Sequence, residues 1–210
     1  MPRLSGRLLL VTDREQTRGR SLLDVLTVAL RAGVPAVQLR ERGLPTRDLL
    51  ALARHVHQLT CTHNNQLLIN DRVDIAMAMD GVGVHLRANS LPIVRVRKIL
   101  GEDRLLGIST HSLEEVMQAE SDGADYVVLG PIYETPSKVA FGPPLGLRML
   151  EEACQRVRIP ILGIGGVTAA RVPEMRRAGV FGIAVVTAVS NASDVARATR
   201  ELLDAFATEV

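Results

Sequence analysis

Short apolar runs rich in leucine and β-branched residues alternate along this chain with longer stretches whose apolar positions recur every three or four residues. The short runs are Leu8–Val11, Ala36–Leu39, Leu67–Ile69, Val82–His85, Leu105–Ile108, Tyr126–Leu129, Ile161–Ile164 and Ile183–Val186. They are nearly continuous rather than alternating, as strands buried on both faces are. Helical spacing is clearest over Ser21–Arg31, Thr46–Leu59, Ser112–Ala119 and Ala192–Phe206. Ser112, ahead of Glu114 and Glu115, fits a helix N-cap, and Gly33, Gly123 and Gly179 fit helix ends. No linker divides residues 1–210. The pattern therefore predicts one α/β domain of eight βα units, a (β/α)8 TIM barrel. An open doubly wound sheet is the alternative that pattern alone leaves.

Composition narrows the class without changing that picture. With 47% hydrophobic and 23% charged residues in 210, the chain reads as a globular protein with one sizeable core. A net charge of +2 gives no basis for nucleic-acid binding, and 2% aromatics with no Trp leave few stacking platforms. No apolar run approaches the length of a membrane span. Near the amino end, Leu8–Val11 is followed at once by Thr12-Asp13-Arg14, which fits a first strand better than a signal peptide. Cys61 and Cys154 stand far apart and near no metal-ligand spacing, as expected of thiols in a reducing cytoplasm. The expected partners are small molecules, with oligomerisation left open.

In a barrel, residues just past each strand converge on one mouth. The first five strands bring Thr12 and Asp13, then Gln38, Arg40 and Arg42, then Asn70 and Asp71, then His85 and Arg87, then Ser109, Thr110 and His111. The last three bring Tyr133, Thr135, Ser137 and Lys138, then Gly163, Gly165 and Gly166, then Val185, Val186 and Thr187.

Four signals stand out. Gly163-Ile164-Gly165-Gly166-Val167-Thr168 opens a helix after the seventh strand, where glycine amides and a helix start suit a phosphate. The bland alternative is a tight turn with Thr168 as N-cap. Gln38, Arg40 and Arg42 share one face opposite Leu39 and suit a diphosphate or carboxylate, unless Arg40 simply pairs with Glu41. Asn70-Asp71 supplies oxygens that suit Mg²⁺, although Asp71 equally suits an N-cap for Arg72–Met79. His111 titrates in the useful range for proton transfer, or is a cap or packing residue, and His85 fits a satisfied residue of the barrel interior. The long stretch Pro131–Gly146 after the sixth strand is a further site candidate.

Together VTDRE, QLRERG, INDRVDIA, GVHL, GISTHSLEE, GADYVVLGPIYETPSK, GPPLGL, IPILGIGG and GIAVVTAV resemble the thiamin phosphate synthase and TenI family, from Val11 to about Ser190. The resemblance implies a (β/α)8 barrel and one of two activities. Synthases join an aminopyrimidine diphosphate to a thiazole phosphate and release diphosphate by a dissociative route. TenI-type proteins move a proton on a thiazole phosphate with a histidine base. A non-catalytic thiazole phosphate binder with a regulatory role is a third reading. The resemblance places Gln38, Arg40, Asn70 and Lys138 at the pyrimidine diphosphate, with Ser109 near it, and makes Asp71 a ligand of Mg²⁺. It places Thr135, Ser137, Gly166, Val186 and Thr187 at the thiazole phosphate, where the glycine turn already puts Gly165, and His111 at the tautomerase base.

Three positions depart from the family pattern. After the fourth strand, synthases carry a glycine-glutamine stretch ending in an aspartate that binds the metal. Here His85-Leu86-Arg87-Ala88-Asn89-Ser90 puts Arg87 at the glycine and Ser90 at the aspartate. Arg42 stands where many synthases have lysine. A hydroxyl is a poor Mg²⁺ ligand beside a carboxylate, so the resemblance implies an altered metal half and an intact thiazole phosphate half. The expected activity is thiamin phosphate synthesis, with tautomerisation as runner-up.

Overall fold

The structure, a computed structural model, describes residues 3–135 and 143–207. Eight parallel strands close into a ring in chain order. They are β1 (Leu8–Val11), β2 (Ala36–Leu39), β3 (Gln66–Asn70), β4 (Gly83–Leu86), β5 (Leu106–Thr110), β6 (Tyr126–Leu129), β7 (Ile161–Ile164) and β8 (Gly182–Val185). β8 pairs back onto β1 with Ala184 beside Leu9, so no strand edge is left open. The barrel expectation holds, and the open sheet is excluded. β4 and β8 each sit one residue away from their apolar runs, because pairing with Leu68 and Leu162 brings Gly83 and Gly182 into the ladder.

The outer layer consists of α1 (Leu22–Arg31), α2 (Thr46–Thr62), α3 (Val73–Met77), α4 (Ile93–Leu100), α5 (Leu113–Ser121), α6 (Gly146–Arg156), α7 (Val172–Arg177), α8 (Thr187–Ser190) and α9 (Val195–Ala207). Helix α1 buries Leu22, Val25, Leu26, Ala29 and Leu30, the stripe its spacing dictates. Ser112 caps α5 as expected, its hydroxyl accepting the Glu115 amide. Gly33, Gly123 and Gly179 follow helices with φ of 107°, 91° and 89°, a region open to glycine at little cost.

Two apolar layers follow from the two faces of each strand. Outward residues such as Leu8, Leu10, Val37, Leu39, Ile69 and Val84 pack beneath the helices. Inward residues, among them Leu9, Val11, Leu68, Tyr126, Val128 and Leu162, fill the barrel itself. Tyr126 fits because its partner across the ladder is Gly107, where a Cβ would lie 2.1 Å from the ring. The interior is thus a packed floor, closed at the amino end by Gln66, whose side chain bonds the Ser5 amide and the Arg3 carbonyl, with Gln38, Asn70, His85 and Ser109 toward the carboxyl ends of the strands.

Candidate active site

Directly above the apolar floor lie two hydrogen-bonded groups on inward-facing positions. The Gln38 amide donates to Asn70 Oδ1 at 3.0 Å across β2 and β3. His85 on β4 is fully enclosed, with Nδ1 2.8 Å from the Tyr126 hydroxyl and Nε2 3.0 Å from Ser109 Oγ. The Tyr126 hydroxyl is buried with His85 as its partner, so its proton goes to Nδ1. Nε2–H then donates to Ser109 Oγ, which leaves the serine proton for another acceptor. His85 is the satisfied interior residue expected from the sequence.

Burial pushes the His85 pKa down to about 3. Its unfolded value lies near 6.5, so between these limits the unfolded chain binds the extra proton. The stability from keeping His85 neutral is complete above pH 6.5 and is lost as pH falls toward 3. Urea unfolding at pH 7, 5.5 and 4 is expected to show a slope from this group approaching ~1.4 kcal/mol per pH unit, absent in His85→Gln. Equal slopes in both proteins would remove His85 as the source.

A second group joins the ends of β1 and β2. Thr12 Oγ1 donates to Glu41 at 2.6 Å and accepts the Arg40 amide at 2.9 Å, while the other Glu41 oxygen takes the Arg14 amide at 3.2 Å. Burial holds the Glu41 carboxyl above its usual range. Glu41 is therefore occupied with the two loops, and Arg40 does not pair with it. The Arg40 guanidinium instead lies 3.9 Å from Asp13, a loose contact that takes no side-chain hydrogen bond from it among the described residues. Burial first, and then the positive charge of Arg42, lower the Arg40 pKa, with Arg87 adding to the same effect. Three guanidinium groups thus share one stretch of rim.

Asp71, in the left-handed region with φ 65°, is pinned by its amide to the His85 carbonyl at 2.8 Å. It caps no helix. Arg72 occupies the position before α3 and gives no side-chain cap, while the Asp71 carboxylate turns back across the rim. Its Oδ2 accepts from Arg87 Nε at 2.8 Å and pairs with Nη2, and its Oδ1 accepts from the Ser90 hydroxyl. Among the described residues no three His, Cys, Asp or Glu gather where a metal ion fits. One carboxylate already holding a guanidinium and a hydroxyl does not make an oxygen-rich Mg²⁺ site.

The far side of the rim is built on backbone. His111 is anchored twice, its amide donating to Glu115 at 2.6 Å and its Nδ1 to the Gly130 carbonyl at 2.5 Å. A carbonyl only accepts, so Nδ1 is the donor, and in the neutral tautomer this fixes the lone pair on Nε2. After β7, Gly165 and Gly166 have φ of 97° and 63°. A Cβ on Gly165 would sit 2.6 Å from Pro131 Cβ, and one on Gly166 would sit 2.6 Å from the Glu134 carbonyl. Their carbonyls are tied away from the mouth, that of Gly165 to the Tyr133 amide at 3.1 Å and that of Gly166 to Arg171 at 2.5 Å. The Arg171 head stacks over the Tyr133 ring, whose hydroxyl donates to Glu174 at 2.6 Å. Among the described residues Gly165 and Gly166 donate no backbone hydrogen bond, which leaves an amide pair for an anion. Thr168 precedes a short 3-10 turn without a side-chain cap, so capping does not explain this segment. Val186 and Thr187 close the rim at the start of α8, and Thr135 lies at the edge of the described segment. Ser137 and Lys138 lie outside the described residues.

A family model described as thiamine monophosphate synthase matches residues 8–189. The chain belongs to this family. The thiamine-phosphate synthase of Roseiflexus castenholzii is 44% identical over 209 residues, covering 99% of this chain and 92% of that protein. A putative thiamine-phosphate synthase of Geobacter sulfurreducens is 43% identical over 203 residues, covering 97% and 95%. Among solved structures, thiamine phosphate pyrophosphorylase from Pyrococcus furiosus superposes with a TM-score of 0.87 at 34% identity, covering 95% of this chain and 94% of that one. A 3-hexulose-6-phosphate synthase, at 18% identity and TM-score 0.69, shares the fold alone. No helix among the described residues is long and apolar enough to cross a membrane.

Placing the chain in the thiamine monophosphate synthase family leaves the individual side chains to be read from geometry. Sequence reasoning gathered Gln38, Arg40, Asn70, Asp71, Ser109 and His111, and the fold brings all six to one rim. It took Tyr126 only as part of a strand and Glu41 only as a rival partner for Arg40. A glycine inside a β-rich run, Gly107, was the available sign of a bulky neighbour. Nothing local marks Arg171, which acts through a ring and a carbonyl brought in from another loop.

Proposed function

We infer that the chain is a transferase that joins an aminopyrimidine diphosphate to a thiazole phosphate and releases diphosphate. One observation carries the reading beyond family membership. The mouth carries guanidinium groups beyond β2 and β4 and a glycine amide pair beyond β7, which supports two separate anion-holding regions. A rearrangement within one phosphorylated ring needs only the second.

In this reading the C–O bond of the pyrimidine substrate breaks and its electron pair leaves with diphosphate. The thiazole nitrogen then supplies its lone pair to the pyrimidine methyl cation. Arg40, with Arg42 nearby and Lys138 as the family pattern has it, neutralises charge that grows on the leaving group. Gln38 spends one amide proton on Asn70, so its carbonyl and the Asn70 amide remain to orient the pyrimidine diphosphate. Ser109, held as a donor by His85, meets a diphosphate oxygen. Gly165, Gly166 and the amides of Val186 and Thr187 hold the thiazole phosphate, with Thr135 and Ser137 contacting it as the family pattern has it. The family is generally Mg²⁺-dependent, but Asp71 as placed here does not fit that role, and no step above runs through a metal.

The His111 geometry favours a second reading, because a free Nε2 on an anchored ring is what a tautomerase base requires. An assay with both substrate sets separates the two. Thiamin phosphate formation that survives His111→Ala within about tenfold supports the transferase. Isomerisation as the sole activity, abolished by the same change, establishes the tautomerase instead. Binding of thiazole phosphate with neither turnover would leave a non-catalytic binder.

A further inference from the structure

We infer that in this chain the Arg87 guanidinium takes the place of a divalent cation beside Asp71, so that diphosphate is held by side chains alone. The inference rests on the transferase reading and specifies how its leaving group is bound.

The observation is a closed circuit of hydrogen bonds between the ends of β3 and β4. The Arg87 amide donates to Ser90 Oγ at 2.9 Å, the Ser90 hydroxyl donates to Asp71 Oδ1, and Asp71 Oδ2 accepts from the Arg87 side chain, with Nε at 2.8 Å. Both carboxylate oxygens are therefore engaged, and both partners come from one short loop. Mg²⁺ demands near-octahedral oxygen ligands and tolerates displacement poorly. Here it would have to approach a carboxylate that already carries a cation. Ser90 serves the circuit better than a second carboxylate would, since only a hydroxyl both accepts from the Arg87 amide and donates to Asp71.

Charge balance points the same way. One carboxylate and one guanidinium sum to zero, as do two carboxylates and a divalent cation. The arriving diphosphate therefore meets the same net charge under either arrangement. A guanidinium has five N–H donors, and Asp71 takes only Nε and Nη2, which leaves donors for phosphate oxygens. The Arg87 side chain is 48% exposed, so those donors are reachable from the mouth. Arg40 follows β2, two strands away across the loop that carries Asp71, and is near enough to Arg87 for their charges to interact.

The test is calorimetric titration of inorganic diphosphate into the full chain, in EDTA and in excess Mg²⁺. Wild-type affinity is expected to agree within about threefold between the two conditions, and Arg87→Ala to weaken it in EDTA by about tenfold or more, with Arg87→Lys restoring part. Asp71→Asn gives the decisive sign. Asparagine tolerates the left-handed backbone at this position, so the fold is preserved. If Asp71 only positions Arg87, its neutralisation leaves diphosphate binding equal or tighter, because a repelling charge is removed. Diphosphate affinity that rises about tenfold or more with Mg²⁺, or is abolished by Asp71→Asn, overturns the inference. Thiamin phosphate formation measured alongside separates the two levels. Product formed only with Mg²⁺ sinks the arginine substitution and leaves the transferase standing, whereas no product under either condition sinks both.

Discussion

Arg40→Ala is expected to lower kcat/KM for thiamin phosphate formation by about 10²–10³-fold, the usual cost of losing one preorganised group at developing negative charge. The effect belongs in kcat rather than KM, because charge on the leaving oxygen is largest as the C–O bond breaks. Stability is expected to move little or to rise. Burial and the like charge of Arg42 pull the Arg40 pKa down, which means that the folded chain holds this cation against resistance. Its backbone amide, the part that binds Thr12, is untouched by the substitution. Arg40→Lys is expected to recover the charge but only part of the rate, since the forked geometry is lost. Steady-state kinetics with paired thermal melts decide it. A loss below about threefold would place the leaving group elsewhere on the rim.

Gly165→Ala is expected to cost about 2–4 kcal/mol of stability and to remove most thiazole phosphate binding. Two penalties coincide at this position. The backbone sits at φ 97°, and the new methyl would meet Pro131 at 2.6 and 2.8 Å, the nearer contact being Cβ and the farther Cα. A proline carbon in a fixed ring has little room to give. Gly43→Ala is the matched control, with φ 78° but nothing within 4 Å of its Cβ, and it is expected to cost only about 1 kcal/mol. Urea denaturation of both variants isolates the contact from the dihedral. Equal losses would mean that the loop after β6 yields to Gly165, and that the tight junction contributes nothing to the anion cradle.

The barrel was legible because its eight strands are largely buried on both faces, which leaves nearly continuous apolar runs in the sequence. Strand ends were less legible, since Gly83 and Gly182 join the ladder through their partners and not through their own character. Arg40, Gln38 and Asn70 were legible for a simple reason, as polar side chains at strand ends of a barrel have one place to go. What their atoms do was not. Glu41 adjoins Arg40 in sequence, yet it turns to Thr12 on another strand. Asp71 was balanced between a helix cap and a metal ligand, and the partners that decide against the cap, Arg87 and Ser90, lie 16 and 19 residues further on. Contacts at that separation depend on ring closure and the crossing of loops, which no local pattern records.

Leu86 is the last enclosed residue of β4, while Arg87, Ala88 and Asn89 stand in solvent. What distinguishes this stretch of rim is therefore attached beyond the enclosed part of the strand and tied to it through Asp71. Exchange of Arg87 and Ser90 for other residues can accumulate by drift without first passing through an unstable barrel. An exchange there would alter how an anion is held and leave the enclosed wall as it is, so salt and metal dependence can change without a change of shape.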